Sequence, residues 1–504
     1  MNYRMIFHTL GRIAIVLAIL LVIPAVLALS LKEASWWAIA TTVGISLVIG
    51  LVLMLCLKPK DKVIFAKEGL IIVSLSWIYV SAIGALPFVI SGAIPNYIDA
   101  FFEMCSGFST TGATILTGTQ IDAMYLTDKG LLFWRSFTHW IGGMGVIVFL
   151  MAFETGESNR GMHILRAEMP GPTVDKIVPR ARNTAKILYL LYIGFTIAEM
   201  TALIIAGACA KMPLGENIFD SAVLSFGTAG TGGFGVRGDS IASYSAAHQW
   251  IIIAFMILFG INFNLYYLII LRKFKQAFGS RELWIFIGII AVSMAAISID
   301  VAVNIASLPF VQNAHDNVRH SLFQVAAFIS TTGYSSIPSD YNINNFPLLS
   351  KGLLFLLMFI GGMAGSTGGG LKVSRVVILC KAVKKELRRV LHPRNANAVK
   401  FEGKIISDET LHGVTSYFGL YMLILAATFI VLCLDGGTGL TVETNVTAAV
   451  SCINNIGPAY GVAASGYYMY NWFSKLVMSF AMLIGRLEIY PILLAFAPTT
   501  WIKR

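Results

Sequence analysis

Four short segments of the chain place hydroxyls, small residues and glycine in an order suited to holding an ion rather than to covalent chemistry. They are Ser109–Thr114 (STTGAT), Thr228–Phe234 (TAGTGGF), Ser330–Ser335 (STTGYS) and Asn454–Ala459 (NNIGPA). Threonine hydroxyls and backbone carbonyls are oxygen donors, and a neighbouring glycine lets the chain turn its carbonyls toward an axis. Four such strips around one axis would replace the water shell of a dehydrated cation. The central glycines read as Gly112, Gly232, Gly333 and Gly457, and a second glycine follows each by roughly 28 to 30 residues, at Gly142, Gly260, Gly361 and Gly485. Intervals of roughly 100 to 125 residues between the loops are too long for a solenoid and long enough for a helix pair around each loop. The candidate filter positions are Thr110, Thr111, Gly112, Thr231, Gly232, Thr331, Thr332, Gly333, Asn455, Ile456 and Gly457. A lone TTG is better explained by tight helix packing, but four copies in one register favour an ion path.

The elements that must position these loops follow from composition. With 57% hydrophobic residues, 12% charged and a mean hydropathy of +0.75, the chain cannot cover itself with a polar surface. Lipid must be part of its solvent, and long apolar runs specify helices rather than the alternating strands of a barrel. Apolar runs predict ten spanning helices, near 10–29, 36–57, 69–90, 130–153, 186–209, 248–271, 283–308, 348–380, 411–434 and 471–496. The first has a basic start, but its apolar length favours a retained anchor over a signal peptide. Short apolar-periodic segments, for example Tyr97–Phe108 and Asn317–Phe328, precede the loops and are too short to span. A short helix entering from outside would aim its partly negative C-terminal end at a cation.

Lys and Arg placement sets the expected orientation. Most of the 37 basic residues fall in the N-terminal tail, Lys58–Lys67, Arg160–Lys186, Arg272–Arg281, Lys381–Lys404 and the C-terminal pair. Both termini then lie in the cytoplasm and all four loops open outside. The net charge of +11 is thereby a topology signal, which argues against nucleic acid as a partner. Asp99, Glu103, Asp122, Glu216, Asp220, Asp239, Asp316, Asp340 and Glu443 gather on the loop side, either as a solvated surface or as a vestibule that concentrates cations. The six cysteines are scattered without metal or disulfide spacing, and His139, the only histidine well inside a span, has no catalytic company. An enzyme is therefore not expected.

Two features lie after the loops. Gly361, Gly362, Gly365, Gly368, Gly369 and Gly370, with Ser366 and Thr367, interrupt the third unit's second helix, because each glycine costs roughly 1 kcal/mol relative to alanine. Irregular backbone at that depth should line a watery cavity. The run does not meet the GxxxxGK[ST] pattern of a phosphate loop. Arg486 stands one residue beyond Gly485, near the centre of a helix, where a charge must face the pore or a carboxylate such as Glu488. Lys372 and Arg375 are assigned no site, and the run from Lys381 to Arg394 reads as a solvated helix end or a lipid-headgroup contact.

The four loops, the leading helix pair, GGMAGSTGGGLK (Gly361–Lys372) and LIGRLEIYP (Leu483–Pro491) together resemble the TrkH family over essentially the whole length. These are the membrane subunits of bacterial Trk potassium uptake systems, within the Trk/Ktr/HKT superfamily. The resemblance implies an all-α polytopic membrane protein, with four pseudo-repeated units of helix, re-entrant pore loop and helix around one pore, after an N-terminal helix pair. The divisions would be 1–66 for that pair, then pore units at 67–160, 161–280, 281–400 with the broken helix, and 401–504. It implies gated K+ uptake across the bacterial inner membrane, a homodimer with one pore per subunit, and a cytosolic nucleotide-binding Trk regulatory subunit that alone binds nucleotide. Gly365, Ser366, Thr367, Gly368, Gly369 and Gly370 become a gate segment with Arg486 as an electrostatic barrier. In plant relatives a serine at the first-loop position accompanies sodium transport. Gly112 stands there in this chain, which implies potassium over a sodium-selective or sodium-coupled relative.

Overall fold

The computed structural model describes residues 2–59, 66–145, 181–304, 313–338, 343–392 and 398–501. Uniformly apolar helices with few charges have no polar face to turn outward, and many of their leucines, valines and isoleucines stay exposed, as lipid contact requires. Six helices among the described residues are long and apolar enough to cross a membrane: Tyr3–Ser30, Trp36–Cys56, Lys67–Ser91, Lys186–Cys209, Arg281–Asn304 and Asp408–Cys433. The protein is a multi-pass helical membrane protein. The first two helices form a hairpin, joined within the apolar layer by Ser46 Oγ donating to Ala14 O at 2.8 Å.

The other four segments, each the second helix of a unit, are not the unbroken spans that their hydropathy predicts. Lys129–Gly143 is helical, and the rest of the predicted span, 146–153, lies outside the described residues. In place of one helix over 248–271 there are two, Ala246–Phe259 and Phe263–Ile270, bent by 91°. Asn262 causes the restart, because its side chain caps the amide of Asn264 at 2.9 Å. The expected glycine break separates Leu348–Phe359 from Val373–Leu391. The last segment divides into Trp472–Arg486 and Tyr490–Phe496, with Glu488 and Ile489 between them at φ +58° and +66°. Left-handed backbone at an isoleucine is strained and ends the helix.

Four shorter helices lie between the members of these pairs: Tyr97–Phe108, Leu214–Gly230, Ala314–Ile329 and Val442–Asn454. Tyr97–Phe108 has the boundaries expected from sequence, and its start is capped by Asn96. Carboxylates of neighbouring elements fix where three of the second helices begin. Glu33 accepts the amides of Lys129 and Gly130, Asp300 that of Ser350, and Asp435 that of Asn471, at 2.8 to 2.9 Å. These bonds satisfy amides that a helix start leaves open. A small antiparallel hairpin, Lys400–Phe401 with Lys404–Ile405, is the only sheet among the described residues and has no counterpart in the sequence reading.

Candidate ion path

Each short helix ends the same way. At each end one residue, Thr110, Thr231, Thr331 or Asn455, takes a left-handed φ of 54° to 59°. The next amide then reaches back five residues: Thr111 N to Ser106 O, Gly232 N to Gly227 O, Thr332 N to Ala327 O and Ile456 N to Ser451 O, at 2.8 to 3.0 Å. This is a Schellman closure made without glycine at its left-handed position. A β-branched residue there costs roughly 1–2 kcal/mol. Three threonines held there, with an asparagine at the fourth equivalent position, mean that the surrounding structure imposes this backbone, as it does at functional sites.

Two residues further, Gly112, Gly233, Gly333 and Gly457 are left-handed, with φ of 79°, 76°, 75° and 102°. A methyl group on Gly112 would lie 1.9 Å from Gly232 O, on Gly233 2.0 Å from Thr332 O, on Gly333 2.0 Å from Ile456 O, and on Gly457 2.6 Å from Thr111 O. Each glycine thus abuts the carbonyl of the residue preceding the next glycine, and the cycle closes on itself. The ring corrects one sequence assignment: the second loop's central glycine is Gly233, while Gly232 occupies the position of Thr111, Thr332 and Ile456. Dense glycine in TAGTGGF allows either register by inspection, and only the ring selects between them.

His139 explains why that loop is so glycine-rich. Its ring Nδ1 lies 2.7 Å from Gly107 O, and a methyl group on Gly232 would sit 2.3 Å from the ring. A methyl group on Gly230 would meet His139 O at 2.2 Å. In loops one and three those two positions hold Ser109 with Thr111 and Ser330 with Thr332, each pair hydrogen-bonded at 2.7 Å. The histidine takes the volume that a serine and threonine fill elsewhere. Its isolation inside a span was the signal available in the sequence.

The left-handed residues use their side chains unequally. Thr231 Oγ1 donates to Gly230 O and Thr367 O, Thr331 Oγ1 accepts from Gly369 N at 2.7 Å, and Asn455 Nδ2 donates to Thr111 Oγ1 and Met482 O. Thr110 Oγ1 is buried without a hydrogen-bond partner among the described residues. Tyrosines brace the ring from outside it. Tyr334 OH donates to Leu224 O and Phe234 O, and Tyr467 OH to Gly457 O.

A cavity of about 340 Å³ opens on the ring's mouth side, lined by Gly112, Gly233, Gly333 and Gly457 and, farther out, by Arg135, Arg237 and Asp239. The acidic residues expected to surround the mouth are mostly committed to partners. Glu103 holds Arg135 Nε at 2.6 Å and also accepts from Thr114 Oγ1 and Ile115 N, while Arg135 donates to Gly235 O and stacks 3.5 Å over Phe234. This buried, hydrogen-bonded pair ties the first loop to the second. Asp220 accepts from Tyr125, Tyr244 and Arg237; Asp99 pairs with Lys475, Asp316 with Arg319, and Glu443 with Lys351. Most of these carboxylates position the loops rather than concentrate cations, and Asp340 lies outside the described residues.

On the opposite side of the ring, Gly361–Leu371 forms a largely buried loop that meets the second, third and fourth units and is joined to the first through Arg486. It exchanges backbone bonds with the bend in the second unit, Met363 N to Gly260 O at 2.9 Å and Phe263 N to Gly365 O at 3.1 Å. It touches the second loop through Thr231 to Thr367 O and the third through Gly369 N to Thr331. A methyl group on Gly369 would fall 2.6 Å from Asn454 O, at the fourth. Arg486 completes the set, donating to Thr367 O at 2.7 Å and to Gly142 O and Gly143 O of the first unit at 2.7 and 2.6 Å. Its guanidinium fork faces carbonyls, and Glu488 pairs instead with Arg375, which also lies 4.1 Å over Tyr417. Lys372, assigned no site from sequence, is buried and turns its ammonium onto Gly368 O and Gly369 O.

A closed ring of four backbone turns, carried on short helices within a multi-pass bundle and underlain by a buried loop, defines a cation-transporting class of membrane protein. The chain belongs to the TrkH family of cation transport proteins, whose profile matches residues 37–502. It is 33% identical to the "Trk system potassium uptake protein TrkH" of Salmonella typhimurium over 99% of this chain and 100% of that one. It is 32% identical to the "Trk system potassium uptake protein TrkG" of Escherichia coli over 99% of both. The crystal structure of the potassium transporter TrkH from Vibrio parahaemolyticus matches over 100% of both chains, with a TM-score of 0.85 and 28% identity.

Proposed function

We propose that this chain takes up K+ across a bacterial cytoplasmic membrane through a gated pore whose filter is the four-glycine ring. The observation that carries this reading is the ring's closure, each glycine against the carbonyl of the next loop. Carbonyls so crowded have no room for side chains and are oriented in advance to replace a hydration shell. The ion-lining backbone comprises Thr110, Thr111 and Gly112; Thr231, Gly232 and Gly233; Thr331, Thr332 and Gly333; and Asn455, Ile456 and Gly457. Glycine at all four central positions, in a chain whose named relatives are potassium uptake proteins, favours potassium over sodium.

Residues 365–370 with Arg486 form the gate. The loop lies across the ring's inner side, and Arg486 adds a fixed positive charge there. A cation leaving the ring meets both an obstruction and electrostatic repulsion. We place both termini in the cytoplasm on the distribution of Lys and Arg, and divide the chain into the N-terminal pair and four pore units given above. A homodimer and a cytosolic nucleotide-binding regulatory subunit complete the assembly, with nucleotide held by the regulator. Rb+ uptake into proteoliposomes containing the purified chain, with K+ and Na+ as competitors, tests the assignment. Competition by K+ and not Na+ is expected; equal competition would refute a potassium filter.

A further inference from the structure

We propose that Glu282 is a positioning residue that clasps the gate loop, and that the Lys400–Ile405 hairpin controls this clasp. The inference rests on reading Gly365–Gly370 as the gate and assigns the element that holds it. Glu282 stands at the start of Arg281–Asn304 and is 5% exposed. One of its oxygens, Oε1, accepts from Ala364 N at 3.0 Å and from Ser374 N at 3.0 Å. These amides flank the gate segment, residues 365–370, on its two sides. A single carboxylate oxygen therefore draws the entry and exit of the loop together, and Ser374 N is an otherwise open donor at the start of Val373–Leu391.

The amide of Glu282 is held in turn. Glu402 Oε1 accepts it at 2.9 Å and also accepts Ser280 Oγ at 3.2 Å. Glu402 is exposed, at the tip of the hairpin, where Glu402 and Gly403 have φ of 47° and 75°. Two consecutive left-handed residues make the tight turn that suits a two-residue hairpin. The same hairpin is tied to the gate's exit helix, because Lys381 Nζ donates to Lys400 O at 2.7 Å and lies 5.6 Å over the Phe401 ring. The hairpin thus joins two things: the helix that leaves the gate and the helix start that carries the clasp. Displacing it withdraws Glu402, loosens the first turn around Glu282, and releases Ala364 and Ser374. It is a lever on the gate that needs no contact with the pore.

Rb+ flux in proteoliposomes, with amide hydrogen exchange on the same full-length protein, tests this directly. Glu282→Ala should raise basal flux by about tenfold, the effect of losing one charged acceptor shared by two amides. Glu282→Gln keeps an acceptor oxygen and should fall between it and the parent chain. Glu402→Ala, on an exposed turn, should also raise basal flux and speed exchange at Ala364 and Ser374, with K+/Na+ preference unchanged. Arg486→Ala is the reference for the gate. If Arg486→Ala raises flux while both glutamate variants fold and neither alters flux or exchange, the clasp is wrong and the gate stands. If none of the three raises flux, the gate reading itself fails.

Discussion

The second loop offers the sharpest test of the ring, because two adjacent glycines there resist a methyl group for different reasons. Gly233 has φ +76°, and its methyl group would lie 2.0 Å from Thr332 O. The left-handed backbone adds roughly 1–2 kcal/mol for an alanine. The carbonyl must also retreat by about 1 Å to reach the 3.0 Å that real methyl contacts respect, which removes it from ion contact. Gly232 is not left-handed, and its methyl group meets the His139 ring at 2.3 Å. That ring is removable. His139→Ala forfeits the bond to Gly107 O, about 0.5–1.5 kcal/mol, and opens the space in which Ser109 and Thr111 pair in the first loop.

Gly232→Ala alone should therefore impair K+ transport, and His139→Ala should rescue it, with a favourable coupling of about 1–3 kcal/mol in the double-mutant cycle. Gly233→Ala should lower the K+/Na+ preference by at least about tenfold, equivalent to about 1.4 kcal/mol, and His139→Ala should not restore it. Rb+ uptake with Na+ competition, measured on the single and double variants at matched protein density, reads both effects. The reasoning collapses if Gly233→Ala is tolerated, or if removing His139 helps both glycine variants equally.

Three further outcomes follow from the contacts. Arg486→Ala removes three charge-assisted bonds to the gate loop and the first unit, each worth about 1.5–3 kcal/mol, and should raise basal Rb+ flux; conductance and K+ affinity like the parent's would contradict its role. Gly112→Ser places its side chain 1.9 Å from Gly232 O at φ +79° and should weaken K+ selectivity, whereas unchanged K+/Na+ permeability ratios would count against an altered filter backbone. Asp220→Asn weakens the anchor of Tyr125, Tyr244 and Arg237 and should cost about 1–3 kcal/mol, read as a lower midpoint in thermal unfolding with selectivity retained; a selectivity change without that loss would place Asp220 in the ion path.

The loops were legible because their chemistry is local. Serine, threonine and glycine in TTG order reveal a turn wherever they fall, and Tyr97–Phe108 carries both its apolar period and its Asn96 cap within one short stretch. The second helices were read less well. Hydropathy measures whether a segment prefers lipid but cannot tell whether it stays straight. The bend at Gly260–Asn262 depends on Met363 N donating to Gly260 O and on Gly365 O accepting from Phe263 N, and nothing near residue 260 announces them.

The sequence by itself determined that the chain lives in a bilayer, that it carries four pore loops, and that a glycine run breaks the third unit's second helix, since composition and short-range pattern carry each of these. Tertiary structure alone decided the register of the second loop, the pairing of Glu488 with Arg375, the commitment of the mouth's carboxylates, and the docking of Arg486 on Gly142 and Gly143, 344 and 343 residues away. Helix formation is governed by neighbours a few positions apart, whereas a buried charge takes whichever carbonyls the assembled fold brings within about 3 Å. Sequence spacing does not encode that proximity.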